Sequence, residues 1–307
     1  MVPVTVQKGL FLLLLGSCAL PSLPPAAALA SGILFSLLLG NPWPLQSSLW
    51  SKKLLQLSVA GLGFGLSLGE VWTVGKASLP LSLAGITLTL LLGKLLQKVF
   101  RAGANTGTLI AFGTAICGGS AIAAMAPVIK AQDDETAVAL AVVFVLNAVA
   151  LLLFPPLGHL LDLSQQQFGE WAALAIHDTS SVVGATAAYG SEALAVGTVV
   201  KLTRALWIVP FALSFALLHQ SQERAKIPPF ILAFIAAAFF HSLFPSLNPL
   251  WGSLAAVARQ ALTVTLFLIG AGLSRSLLQR VGFAPLALGV SLWLLAGTLS
   301  LAAVHLG

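Results

Sequence analysis

From Val6 to Leu306 the chain is a succession of long apolar runs, separated by short breaks that carry Pro, Gly or charge. A helix that spans a bilayer needs about 20 mostly apolar residues, and these runs approach or reach that length. Strand-like alternation is absent, and the runs are too long for barrel strands. Charge settles the class. Only 15 basic and 9 acidic residues occur in 307, or 8% charged against 58% hydrophobic. Soluble domains carry about 25% charged residues. So few charges cannot cover a water-exposed surface, which excludes a soluble enzyme, a disordered chain and a coiled coil. The chain reads as an all-α polytopic membrane protein.

Eleven membrane helices are predicted: Val6–Leu20, Pro25–Gly40, Leu54–Gly69, Leu79–Leu96, Thr106–Ile129, Thr136–Leu160, Phe168–Tyr189, Ala193–His219, Phe230–Phe244, Leu254–Leu273 and Phe283–Leu306. Pro21, Pro24 and Pro25 separate the first two, and Asn41-Pro42-Trp43-Pro44 ends the second. Trp43, Trp50, Trp72, Trp171 and Trp251 fall near helix ends, as an interfacial aromatic belt requires.

The basic residues set the orientation. Alternate loops hold Lys8, Lys52, Lys53, Lys94, Lys98, Arg101, Arg224, Lys226, Arg275 and Arg280, whereas the opposite loops hold Lys76 and Lys130. The net charge of +6 is therefore read as a topology signal and not as nucleic-acid binding. It places the N-terminus in the cytoplasm and the C-terminus outside. The first helix admits a second reading, as a signal peptide with a lipoprotein-like Leu15-Gly16-Ser17-Cys18 box.

Residues 1–24 form an extra first helix, 25–160 a first five-helix repeat and 161–307 a second, within a single membrane domain. An odd number of spans in each half forces opposite orientations, the arithmetic of an inverted-topology repeat.

Three segments could carry chemistry. In Gly113–Ala124, Gly118 and Gly119 weaken the helix by about 1 kcal/mol each relative to alanine. A break there lets Ser120 cap a new half-helix, leaving the amides of Ala121, Ile122 and Ala123 free for an anion. Thr114 and Cys117 flank it. Close helix packing through small residues is the competing reading. In the matching helix of the second half, Gly270 and Gly272 offer a second break with Ser274 as its cap, or simply a helix end.

The second segment is His177-Asp178-Thr179-Ser180-Ser181, in mid-span. A charge at the bilayer centre costs roughly 2.5–3.5 kcal/mol, so Asp178 must be protonated, paired or wet. His177 and Ser181 share one face of a continuous helix. Substrate contact by His177 and Ser181, and proton coupling through Asp178 or His177, compete with a polar clamp between helices.

Lys201 and Arg204 are the third segment, on one face and about 12 Å into their span. Asp178 is the expected partner of one cation, and the other leaves a positive cavity; snorkelling is the alternative.

Two cysteines and five histidines show no metal-ligand spacing, and no Walker A motif, nucleophile motif or paired carboxylates occur. No metal, cofactor or enzymatic activity is expected.

At these residues the chain resembles the YeiH-type family of bacterial inner-membrane proteins, described as sulfate exporters. The likeness rests on GTAICGGSAIAA at Gly113–Ala124, followed by Pro127-Val128-Ile129-Lys130-Ala131 and an acidic cluster. It rests also on Ile176-His177-Asp178, on Val200-Lys201-Leu202-Thr203-Arg204 and on Lys226-Ile227-Pro228-Pro229-Phe230. It runs from about Leu54 to the C-terminus. The family more often has Glu where this chain has Asp178. The resemblance implies a fold similar to bile-acid symporters and sodium/proton antiporters, in which two broken helices cross. The expected function is secondary export of a small anion such as sulfate or sulfite. Substrate-binding residues would be Thr114, Cys117, Gly118, Gly119, Ser120, Ala121, His177, Ser181, Lys201, Arg204, Gly270 and Gly272. Expected partners are the anion, H+ or Na+ as coupling ion, and the lipid bilayer, with no nucleic acid; a homodimer is one compatible assembly. Two alternatives stand beside this: a proton- or sodium-coupled cation antiporter, and a non-transporting scaffold or intramembrane enzyme.

Overall fold

The computed structural model describes residues 3–20, 23–218, 228–272 and 282–306, and every regular element among them is helical. In chain order these are α1 (Val4–Ser17), α2 (Pro25–Leu38), α3 (Pro44–Leu62), α4 (Leu68–Phe100), α5 (Ala104–Ala115), α6 (Gly119–Val128) and α7 (Asp133–Leu160). There follow α8 (Gln165–Ala175), α9 (Thr179–Tyr189), α10 (Ser191–Leu206), α11 (Ile208–Leu218), α12 (Pro229–Leu243), α13 (Asn248–Ala271) and α14 (Phe283–Leu306). Five stretches are long and apolar enough to cross a membrane: Leu68–Phe100, Asp133–Leu160, Ser191–Phe215, Pro245–Ala271 and Phe283–His305. The chain is a multi-pass helical membrane protein.

Three predicted spans differ from the observed helices in an informative way. The span expected to begin at Leu79 starts at Leu68, because Pro80 is carried inside α4 rather than at its start. Phe168–Tyr189, expected to be continuous, is split into α8 and α9. Ala193–His219 is divided at Trp207, just before Pro210, whose missing N–H leaves the Leu206 carbonyl of the preceding turn without its donor. His219, Arg224, Lys226, Ser274, Arg275 and Arg280 lie outside the described residues.

The chain clusters into two compact units, Met1–Thr73 with Pro228–Ser276 and Val74–Ile227 with Leu277–Gly307. In the first, α13 packs on α2 and α3, and α12 on α3. Glycine permits this approach. A Cβ on Gly32 would lie 2.2 Å from the Phe267 carbonyl oxygen, and one on Gly63 2.3 Å from that of Phe234. Asn41 Nδ2 donates to the Ala271 carbonyl at 2.9 Å, closing the end of α13. Gly32→Val is expected to lower the melting temperature in detergent by about 4–10 °C, the cost of overpacking against backbone that cannot yield.

In the second unit, α10 packs on α8 and α9, α7 on α5 and α9, and α14 on α5 and α8. The acidic residues Asp133, Asp134 and Glu135 occupy the first turn of α7, where the helix dipole favours negative charge. Glu135 closes a capping box with Gln132 and also accepts from Asn105 Nδ2 at 2.9 Å. This acidic cluster is accounted for as a helix start.

Candidate functional site

Two interrupted helices of the second unit break beside residues singled out in the sequence. The first break has a local cause. After Ala115, the β-branched Ile116 adopts φ −117°, ψ −84°, and Gly118 takes φ +66°, ψ −127°. The Gly118 N–H turns back to the Gly113 carbonyl at 2.8 Å, which ends α5. The Gly118 carbonyl then accepts from Ile122 N–H at 3.1 Å and begins α6. Only glycine holds such a conformation without strain.

The cap differs from expectation. Gly118, and not Ser120, stands at the N-cap position, with no side-chain cap. Ser120 sits in the first turn of α6 and is exposed.

At the second break, Ile176 leaves the helix at ψ +134° and Asp178 becomes the N-cap of α9. Asp178 Oδ1 accepts the Ser181 N–H at 2.9 Å, and Oδ2 accepts from the Ser180 hydroxyl. The face shared by His177 and Ser181 on a continuous helix therefore does not exist. His177 lies in the break itself and Ser181 in the first turn beyond it. A capping role also explains how a carboxylate is kept here without a cationic partner.

The two breaks touch. A Cβ on Gly118 would fall 2.9 Å from Asp178 Cβ and 3.2 Å from its Cα. The starts of α6 and α9, both positive dipole ends, meet at this contact. The backbone N–H groups of Gly119, Ser120, Thr179 and Ser180 find no acceptor among the described residues.

The opposite ends are closed by the two cations. Lys201 is 0% exposed and Arg204 2%. Lys201 Nζ donates to the carbonyls of Ile176 at 2.7 Å and Ala173 at 3.3 Å. Arg204 Nε donates to Ala115 at 2.7 Å and Nη1 to Leu174 at 2.6 Å. Both thus serve orphan carbonyls at the C-terminal ends of α5 and α8. Neither forms an ion pair with Asp178 among the described residues, contrary to expectation, because the carbonyls freed by the breaks satisfy their charge. Snorkelling is likewise excluded by their complete burial.

At the second break lie buried polar atoms with no partner among the described residues, both ring nitrogens of His177 and Nδ2 of Asn147; Oγ1 of Thr114 in the last turn of α5 and of Thr198 on α10 also lack one. Asn147 was not foreseen. From α7, its Oδ1 accepts the amides of His177 at 3.1 Å and Asp178 at 3.4 Å, pinning the second break. An asparagine inside the apolar run Val145–Phe154 was the available signal. Unsatisfied buried polar groups cost about 1–3 kcal/mol each, which favours a polar partner for these atoms.

Gly270 and Gly272 do not form a second break. They belong to the other unit, where α13 runs unbroken to Ala271 and Gly272 is its C-cap in ordinary right-handed geometry. Gly270 faces α2, a Cβ there lying 2.5 Å from the Leu29 carbonyl oxygen. The reading as a helix end is the one observed.

Comparison with known proteins agrees with the motifs. The family described as "Conserved hypothetical protein 698" matches residues 5–289. A UPF0324 membrane protein of Geobacter sulfurreducens is 58% identical, covering 98% of this chain and 97% of its own. One from Bdellovibrio bacteriovorus is 49% identical over 94% of this chain and 91% of its own. One from Bacteroides thetaiotaomicron is 47% identical over 92% and 86%. No solved structure matches. The chain belongs to the UPF0324 family of membrane proteins, the YeiH-type family that its glycine, His-Asp and Lys-Arg motifs resemble.

Proposed function

We propose that the chain is a secondary transporter that exports a small anion, sulfate or sulfite first among candidates, across the bacterial inner membrane. The N-terminus would lie in the cytoplasm and the C-terminus outside, as the lysine and arginine bias of the loops argues. The observation that carries this reading is the meeting of two half-helix starts at Gly118 and Asp178, with four backbone N–H groups lacking acceptors. Such groups bind anions without a formal positive side chain. Lys201 and Arg204 act indirectly, by holding the C-terminal halves in place. Asp178, half-buried and at the contact, is placed to exchange a proton as the anion enters and leaves. The broken-helix unit is the part whose exposure would alternate between the two sides of the membrane.

The test is uptake of labelled sulfate and sulfite into proteoliposomes under an imposed pH gradient. Asp178→Asn should cut gradient-driven flux at least tenfold while leaving the melting temperature within about 2 °C, since asparagine caps helices as well as aspartate. Unchanged proton-driven flux in that variant would remove Asp178 from coupling.

The same half-buried carboxylate supports a second reading, a proton- or sodium-coupled cation antiporter. Flux of Na+ without sulfur oxyanion movement would favour it. Absence of any flux across both substrate sets would leave a scaffold or an intramembrane enzyme.

A further inference from the structure

Arg204 has a face that the helix ends do not use. Its Nε and Nη1 are committed to the Ala115 and Leu174 carbonyls. Its Nη2 makes no hydrogen bond to the described chain and is not sealed in, for the residue lines a cavity of about 240 Å³ in the second unit. The other walls come from α4, α8 and α14 and are mostly apolar, among them Gly85, Leu88, Leu292 and Leu299, with the hydroxyl residues Thr89 and Ser300 beside them; Leu88 and Leu299 are themselves exposed, so the cavity is open on one side.

From this we infer a binding site for a single-chain organic anion, an alkyl sulfonate or carboxylate. Its head would accept from Arg204 Nη2, and its hydrocarbon would lie between α4 and α14. The cavity's volume holds a short hydrocarbon body, and the open side lets the tail lie against the leucines of α4 and α14. A bare sulfate fits poorly, because one nitrogen and leucine walls cannot replace the hydration of a dianion. A guanidinium with free donors at the end of an apolar chamber matches an anionic head on an apolar tail. The site does not rest on the transport reading, since it is assayed by binding alone.

Gly85 provides the decisive variant. A Cβ there would meet nothing within 4 Å, so a side chain can start from this wall without strain, and Gly85→Leu is expected to occupy the chamber. Purified full-length protein in a neutral maltoside detergent would be melted with hexanesulfonate, with hexanol and with sulfate. Hexanesulfonate should raise the midpoint by about 2–5 °C at saturation. Hexanol and sulfate should raise it by less than half as much, and Gly85→Leu should abolish the hexanesulfonate shift while melting no lower than the parent chain. An equal shift with hexanol would overturn the inference, since the guanidinium would then read no charge. So would an undiminished shift in Gly85→Leu. Phospholipid retained through purification by the parent chain and lost from Gly85→Leu, with no hexanesulfonate shift, would assign the chamber to lipid and overturn the free anion as its occupant.

Discussion

Gly118→Ala is expected to abolish transport, by more than a hundredfold in proteoliposome flux, and to cost the protein several degrees of melting temperature. Two independent penalties meet at this position. At φ +66°, ψ −127° a Cβ-bearing residue is strained by about 1–3 kcal/mol. The added methyl would also sit 2.9–3.3 Å from Cβ, Cα and N of Asp178, and the latter two are backbone. Relief requires either rewinding the α5–α6 break or pushing the α9 start away. Either movement parts the two half-helix ends and turns the amides of Gly119 and Ser120 from those of Thr179 and Ser180. Gly119→Ala is the control. A Cβ there meets only side-chain atoms of Phe144 and Leu140, at 3.3–3.4 Å, and should keep flux within about threefold. Equal loss in both variants would mean that general helix packing matters at these glycines, and the specific Gly118–Asp178 contact would lose its place in the mechanism.

How much of this was legible beforehand follows from what each signal depends on. The first break was legible because two adjacent glycines inside an apolar run are a local fact of the chain. The second was not, because His177 and Asp178 in mid-span look like a costly charge on a helix until the helix is seen to end there. Once it ends, aspartate followed three residues later by a buried serine amide is an ordinary N-cap. The depth of Lys201 and Arg204 showed correctly that they needed partners. Their true partners, the carbonyls of Ala115, Ala173, Leu174 and Ile176, are unsatisfied only because of the two breaks, so no pairing of charges along the sequence could have revealed them. Gly270 and Gly272 misled for the opposite reason. Glycine spacing alone does not distinguish a break from a close contact with a neighbouring helix, and at Gly270 the contact is the cause.

The same geometry fixes the expected outcome for the buried cations. Arg204→Met would leave the Ala115 and Leu174 carbonyls without their donors, at about 1–3 kcal/mol for each. It would also remove the positive charge that faces the C-terminal dipoles of α5 and α8 together. A loss of about 2–6 kcal/mol is a large share of the stability of any domain, so the variant should purify as aggregate or melt well over 5 °C lower. Arg204→Lys should fall between, because a single ammonium at that position can reach one helix end more readily than two. Lys201→Met should resemble Arg204→Met, since it strips the Ala173 and Ile176 carbonyls, and the double variant should be less than additive because both side chains serve the end of α8. Size-exclusion profiles and melting curves in detergent, taken before any flux assay, separate this role from a direct contact with substrate. A cation that only held substrate would, when replaced by methionine in a buried apolar setting, leave the melting temperature unchanged or raise it. Well-folded Arg204→Met protein without flux would therefore transfer Arg204 from the scaffold of the broken helices to the substrate itself.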